Sequence, residues 1–241
     1  IQDYIPPKVD SYILALDNSY IDLEFNDQIY GNDDVTGTMS IDDISVKIIP
    51  NGSQMDSCTV TSLTRTDSNF LTGGEFNIRV NLEYNSTPNG NEFIVLESSD
   101  GVSIYDESGN QYSEFAYTDT TILNDILPPS IDSISIPIDS FIVLMESTPI
   151  TFDFNEKVDS LDFVITSKAL DSVQFDFTRQ DSSLSVMLQP PFASHDSITV
   201  NFSYLEDEAG LSTVDIAYTY NTPILGDYDF DSKITHNDLW D

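Results

Sequence analysis

The chain has 241 residues, which is long enough for one large domain or two ordinary ones with buried cores. It carries 42 acidic residues against 8 lysines and arginines, a formal net charge of −34. Such a surface repels phosphate backbones and anionic lipids, so we expect no nucleic-acid partner and no membrane-surface role. The acidity itself has two interpretations. It attracts cations, calcium above all, or it keeps a secreted protein soluble.

Three further features limit the class of protein. No apolar run reaches the roughly 18 residues that a membrane span requires, so we expect no membrane insertion. Cys58 is the single cysteine, which excludes an intrachain disulfide, and its strand-like surroundings "DSCTVTSL" favour a buried small hydrophobe over a nucleophile. The start "IQDYIPPKVD" has no signal-peptide pattern, so we interpret the chain as a mature product or a fragment of something longer.

The pattern along the chain is that of short strands with almost no helix. Runs rich in β-branched and aromatic residues alternate with polar ones and are separated by turn signals such as Asn51-Gly52 and Asn89-Gly90. In chain order they include "SYIDLEFN", "ISVKII", "CTVTSLTRT", "FNIRVNLEY", "EFIVLES", "PITFDFN", "DFVITS", "SVQFDFT", "LSVMLQ", "SITVNFSY" and "VDIAYTYN". Short strands at this spacing predict an all-β sandwich or barrel.

The two halves of the sequence repeat each other. "IPPKVDS" returns as "LPPSIDS", "LEFNDQI" as "FDFNEKV", and "YDESGNQYSEFAYTDTTIL" as "LEDEAGLSTVDIAYTYNTPIL". The second copy is shorter, and we expect the missing residues to come from its middle. Tandem copies of one β-domain explain this order. We therefore predict domains at 1–126 and 127–225, with a separate segment at 226–241.

Two repeated motifs have clear physical roles. The Pro-Pro pair removes two backbone donors and stiffens an extended leading segment, as an interdomain linker requires. The turns at Asp106–Asn110 and Asp207–Gly210 place a glycine where the backbone needs a positive φ. Their carboxylates could also bind a cation, but turn chemistry is the favoured interpretation. Each turn is expected to lead into the last strand of its domain.

These motifs, in the same order twice, resemble the bacterial Ig-like domains that occur in tandem on surface-layer and other cell-surface proteins. The resemblance covers residues 5–225, and copy two departs from it with Leu211 where copy one has Asn110. It implies two tandem Ig-like β-sandwiches. It also implies a non-catalytic spacer, stalk or adhesive module that is secreted by a bacterium and lies outside the cell or on its surface.

The tail "GDYDFDSKITHNDLWD" places aspartates at every second position. On a twelve-residue calcium loop, Asp227, Asp229 and Asp231 fall at positions 1, 3 and 5, Lys233 offers its carbonyl at position 7, and Asp238 closes the loop at position 12. Calcium takes 6–8 oxygen ligands, and this alternation directs side chains to one centre. The other interpretation is an acidic, solvated tail.

The tail also resembles the loop of a dockerin repeat, a calcium-binding attachment module. The resemblance implies Ca²⁺ as the cofactor and adds Thr235 as a ligand, either directly or through water. Two features depart from that family. Ser232 stands where the loop prefers glycine, which weakens binding, and half a dockerin at most is present because the module needs two repeats.

Several alternatives stay open. Catalysis has little support, since His195 beside Asp196 is favoured as an ordinary loop histidine. A second function is an accessory region of a secreted polysaccharide-degrading enzyme with dockerin-type attachment, and a third is a sugar-binding module with a planar row of exposed tyrosines. Expected partners are calcium and either other copies of the chain or a scaffold or cell-surface protein. A further calcium site is expected from Asn124, Asp125 and Asp132, which flank the second Pro-Pro pair.

Overall fold

The computed structural model describes residues 3–100, 103–113, 115–142, 147–226 and 233. Within these residues the regular structure is β-strand, apart from a single turn of 3-10 helix at Ile41–Asp43. The described part of the chain contains no helix that is long and apolar enough to cross a membrane. The chain divides into two compact units, Ile1–Leu127 and Pro128–Asp241.

In its described residues, unit 1 has seven strands that form two antiparallel sheets. In chain order they are β1 Val9–Leu14, β2 Tyr20–Ile29, β3 Ile44–Ile49, β4 Cys58–Thr64, β5 Glu75–Tyr84, β6 Phe93–Ser98 and β7 Thr121–Ile122. One sheet has the order β1-β2-β5-β4 and the other β3-β6-β7. With strands lettered A to G along the chain, these are the ABED and CFG sheets of a constant-type immunoglobulin sandwich.

The core of unit 1 lies between these two sheets. Alternate residues of β2, among them Ile21 and Leu23, are fully buried and pack in one apolar cluster with Val80 of β5 and Ile94 and Leu96 of β6. Because successive side chains of a strand point to opposite faces, each strand supplies one apolar face to the core. The polar residues of the alternating sequence runs lie on the other face.

Unit 2 repeats the same order. Its strands are β8 Ile131–Ile134, β9 Thr148–Phe154, β10 Val158–Ser167, β11 Gln174–Gln180, β12 Ser183–Gln189, β13 Ser197–Asp207, β14 Ser212–Thr213 and β15 Ile216–Asn221. One sheet has the order β11-β12-β9-β8, and in the other β13 pairs with β10 on one side and with both β14 and β15 on the other. The two short strands together take the place of strand G. The prediction of two tandem Ig-like sandwiches is confirmed, whereas the predicted calcium segment at 226–241 lies almost wholly outside the described residues.

Aromatic packing fills the core of unit 2. The rings of Phe152 on β9 and Phe202 on β13 meet edge to face at 5.0 Å between centroids, and Phe163 on β10 packs against Phe202 at 5.9 Å. Phe152 and Phe202 are fully buried and belong to opposite sheets, so their contact joins the two layers.

The two units differ in length at several connections, and two of these shorten unit 2 near its middle. The β2–β3 connection takes residues 30–43 in unit 1, and the matching β9–β10 connection takes residues 155–157 in unit 2. The β4–β5 connection takes residues 65–74, and its counterpart takes residues 181–182. Shortening a surface loop leaves the sheet order intact, which explains why copy two keeps the fold with fewer residues.

Candidate metal centres

The predicted calcium loop of the tail cannot be placed. Of its six expected ligand residues, Asp227, Asp229, Asp231, Thr235 and Asp238 lie outside the described residues, and Lys233 is exposed. The loop stays a prediction from the sequence.

Unit 1 brings together three carboxylates from distant parts of its sequence. Asp3 precedes the Pro-Pro pair, Asp27 lies near the end of β2, and Asp106 opens the turn that follows β6. Each offers one oxygen, and these oxygens all lie within 4.8 Å of one another. Two oxygens at that separation can both lie about 2.4 Å from an ion between them, a calcium–oxygen distance.

The turn of unit 1 holds Asp106 in place. Asp106 is fully buried, and its Oδ1 accepts hydrogen bonds from the backbone N–H groups of Ser108 and Asn110, both at 2.8 Å. Its Oδ2 accepts a third from Asn110 Nδ2 at 2.9 Å. Gly109 has φ +76°, the positive φ predicted from the sequence, which lets the chain fold back over the carboxylate. Asp106 therefore both stabilises the turn through its hydrogen bonds and supplies a carboxylate oxygen to the cluster.

Asn110 also fastens the leading segment to this turn. Its Nδ2 donates to the carbonyl oxygens of Asp3 at 3.3 Å and Ile5 at 3.4 Å. At the other side of the cluster, Asn26 Oδ1 accepts from Lys8 N–H at 2.7 Å, which anchors the residue after the Pro-Pro pair beside the end of β2. The repeated motifs therefore meet at one end of the sandwich.

The electrostatics of this cluster favour a cation. In the described part of unit 1, no lysine or arginine forms an ion pair with Asp3, Asp27 or Asp106. Three carboxylates this close repel one another at neutral pH, and a divalent ion would relieve that repulsion. An all-oxygen set of this kind suits calcium better than a transition metal.

Unit 2 brings two carboxylates together at matching positions of the fold. Glu156 in the β9–β10 loop corresponds to Asp27, and Asp207 at the end of β13 corresponds to Asp106. The two carboxylates of unit 2 approach within 4.8 Å. Asp207 Oδ1 accepts from the backbone N–H of Leu211 at 2.9 Å, and Gly210 has φ +80°, so the turn is built as in unit 1.

One atom distinguishes the two turns. Leu211 stands where unit 1 has Asn110, so it supplies a backbone donor to Oδ1 but no side-chain donor to Oδ2. Asp207 is 3% exposed, and its Oδ2 is buried without a hydrogen-bond partner. The departure from the repeat that the sequence displays therefore has a direct structural consequence.

The residues that flank the second Pro-Pro pair have partners of their own. Asn124 Nδ2 donates to Ala15 O at 3.0 Å, so that its amide is engaged within unit 1. Asp125 Oδ1 accepts from Leu127 N–H at 3.0 Å, and Asp132 is an exposed residue of β8. A calcium site formed by these three stays a prediction.

Neither residue type associated with nucleophilic catalysis is set up for it in the described structure. Burial raises the pKa of the Cys58 thiol to about 12, so at neutral pH it is a protonated, half-buried side chain. His195 is exposed and has φ +54° in a loop, while the neighbouring Asp196 is buried and accepts from Ala169 N–H and from Ser167 Oγ. These placements agree with the interpretations of Cys58 and His195 made from the sequence.

Sequence reasoning did not single out Asp3, Asp27 or Glu156, and it gave Asp106 and Asp207 a turn role first. A signal was nevertheless present, because both copies keep an acid directly after "FN" and another that opens the glycine turn. Aligning the two repeats shows which acidic residues recur. Only the three-dimensional structure shows that these acidic residues lie close together.

Comparisons with known proteins give distant likenesses. No family model matches the chain, and no curated protein matches it. The N-terminal part of the bacterial S-layer protein SbsC is similar over 90% of this chain and 44% of its own, with 12% sequence identity and a TM-score of 0.33. A chain from the complex of Dpr2 Ig1-Ig2 with DIP-Theta Ig1-Ig3 is similar over 85% of this chain and 90% of its own, at 11% identity and a TM-score of 0.28. This chain spans less than half the length of the first of these, and the fold assignment rests on the strand order described above.

Proposed function

We propose that this chain is a non-catalytic structural and adhesive spacer of an extracellular or cell-surface protein, and that its C-terminal segment binds calcium. The observation that carries the proposal is the sheet order. Two successive units build the same ABED and CFG sandwich, each around its own core. A sequence that repeats a self-contained sandwich gains length and spacing without needing a new fold.

The surface supports a spacer more than a sugar-binding module. Among the described tyrosines, Tyr4 is the single exposed one, and the others are buried or half-buried. The planar row of exposed tyrosines that a sugar-binding face would use is therefore not found in the described residues. The strong negative charge keeps such a surface soluble and repels other copies at low ionic strength.

Pulling on single molecules tethered at both termini tests the spacer role. We expect two separate unfolding steps, each releasing a length on the order of 40 nm, because each sandwich unfolds as its own unit at about 3.5 Å per residue. A core variant confined to unit 1, Val80→Ala, should weaken one step and leave the other unchanged. Smooth extension at low force, without two distinct steps, would argue against a mechanical spacer.

Calorimetric titration of the calcium-free chain with CaCl2 tests the tail. We expect a saturable event that is absent from the Asp229→Ala, Asp231→Ala double variant, since these residues supply alternate ligands of the predicted loop. The matched control is Asp171→Ala, Asp181→Ala, which removes the same charge from exposed positions outside the tail. If the tail variant and the control give the same titration, the segment is an acidic terminus and not a calcium loop.

A further inference from the structure

Asp207 in unit 2 presents a buried carboxylate oxygen to which no donor among the described residues is hydrogen-bonded. The residue is 3% exposed, and Oδ2 has no hydrogen-bond partner, whereas Oδ1 is bonded to Leu211 N–H at 2.9 Å. Buried polar atoms are almost always satisfied, because losing water without gaining a partner is unfavourable. An orphaned oxygen on an ionisable group therefore indicates a partner beyond the described residues.

The same fold position in unit 1 shows what a protein donor would look like. There, Asn110 Nδ2 donates to Asp106 Oδ2 at 2.9 Å. In unit 2 the corresponding residue, Leu211, contributes only its backbone, so the donor has been removed while the buried carboxylate is kept. Keeping the acid without its partner is unfavourable unless another hydrogen-bond donor or a cation takes the partner's place.

A second carboxylate indicates which kind of group binds Asp207 Oδ2. Glu156 brings a carboxylate oxygen within 4.8 Å of the Asp207 carboxylate, from a different loop of the same unit. A neutral donor such as water would satisfy Oδ2 but leave the two negative charges facing each other. A divalent cation that prefers oxygen ligands answers both the unmet oxygen and the repulsion.

We propose that unit 2 binds one calcium ion between Glu156 and Asp207, with the rest of its coordination completed by water. The ion would join the β9–β10 loop to the end of β13, and so link the two sheets at one end of the sandwich. We expect an affinity in the range of extracellular modules, which bind calcium at about 10⁻⁴–10⁻³ M. This site shares no residue with the tail loop, so the two stand or fall separately.

Calorimetry in the Asp229→Ala, Asp231→Ala background isolates this site from the tail. We titrate CaCl2 into that protein and into the same protein carrying Glu156→Gln or Asp207→Asn. Either substitution should reduce the calcium stoichiometry by one, and should abolish the calcium-dependent rise in the unfolding temperature of unit 2. The control is Asp171→Asn, which removes a charge from an exposed position of the same unit and should leave the stoichiometry unchanged.

Using two substitutions keeps the test valid if one of the variants fails to fold. Glu156 is half-buried in a loop, so Glu156→Gln is expected to fold even if Asp207→Asn disturbs the turn, and circular dichroism of both variants checks this. The proposal is overturned if folded Glu156→Gln binds as many calcium ions as its parent. A result in which the tail site is absent but the Glu156-dependent site persists would refute the tail and retain this inference.

Discussion

At the scale of single residues, the surface of unit 1 contains one ion pair with strong geometry. Arg79 on β5 lies directly across from Asp22 on β2, and its Nε and Nη2 donate to the two carboxylate oxygens at 2.7 and 2.8 Å. The guanidinium also lies over the ring of Tyr20, 3.5 Å from its centroid. The bond to Asp22 raises the pKa of Arg79 above its usual value. A planar, forked cation satisfies both contacts at once, which an ammonium cannot do.

Arg79→Lys should therefore destabilise unit 1 by about 1–2 kcal/mol, through loss of one of two charge-assisted hydrogen bonds and of the stacked contact. The measurement is the urea midpoint of the unit 1 transition. Arg65→Lys is the matched control, because Arg65 pairs with Asp67 at 3.8 Å and both side chains are half-exposed. Its effect should stay within about 0.5 kcal/mol. Equal effects of the two substitutions would show that the fork geometry contributes nothing.

At the scale of elements, two of the repeated motifs contact each other in both units. The "FN" motif at the end of strand B is hydrogen-bonded to the segment that contains the Pro-Pro pair. In unit 1, Asn26 Oδ1 accepts from Lys8 N–H at 2.7 Å, and in unit 2, Asn155 Oδ1 accepts from Ser130 N–H at 2.6 Å. Each asparagine follows the last core phenylalanine of strand B, Phe25 in unit 1. The "FN" of the sequence thus marks where strand B meets the residue after the Pro-Pro pair, and the acid that follows it is carried to the carboxylate cluster.

The glycine turn offers a test at the same scale. Asn110→Leu gives unit 1 the residue of unit 2 and removes the donor to the buried Asp106 Oδ2 together with the two longer bonds to the leading segment. We expect a loss of about 1–3 kcal/mol in the calcium-free protein, the cost of leaving a buried acceptor unpaired. Chemical denaturation in EGTA measures it. Glu107→Leu, in the same turn but exposed, should change stability by less than about 0.5 kcal/mol. A loss for Asn110→Leu no greater than this would mean that water replaces the amide.

The last strand of unit 1 departs from its sequence pattern. The glycine turn is expected to lead into the last strand, yet among the described residues that follow it regular pairing is limited to Thr121–Ile122. Beside Leu96, a side-chain oxygen replaces a backbone carbonyl as the hydrogen-bond acceptor. Leu96 N–H donates to Thr118 Oγ1 at 3.0 Å, and Tyr117 N–H returns a bond to Leu96 O at 2.8 Å. Such a local irregularity buries Tyr117 and Thr118 in succession, which strict alternation does not allow.

At the scale of the whole molecule, charge is the dominant property. With 42 acids and 8 lysines and arginines, most carboxylates cannot find a basic partner, and the four ion pairs of the described residues involve four of the acids. Self-repulsion of this size opposes compact folding and is reduced by salt or by bound divalent ions. Calcium at defined sites would therefore stabilise the fold in two ways, through direct coordination and through reduction of the net charge.

The sequence alone determined the features that depend on local periodicity and on comparing one half with the other. Alternation in "SYIDLEFN" and "LSVMLQ" predicted β2 and β12, and the repeated motifs predicted two sandwiches, because side-chain period and turn chemistry are encoded residue by residue. Only the tertiary structure decided which acids meet. Asp27 and Asp106 are far apart in sequence and lie close because sheets ABED and CFG bring the end of strand B next to the F–G turn. The orphaned Oδ2 of Asp207 likewise follows from Leu211 being placed over a buried carboxylate, a contact that depends on burial in three dimensions and not on spacing along the chain.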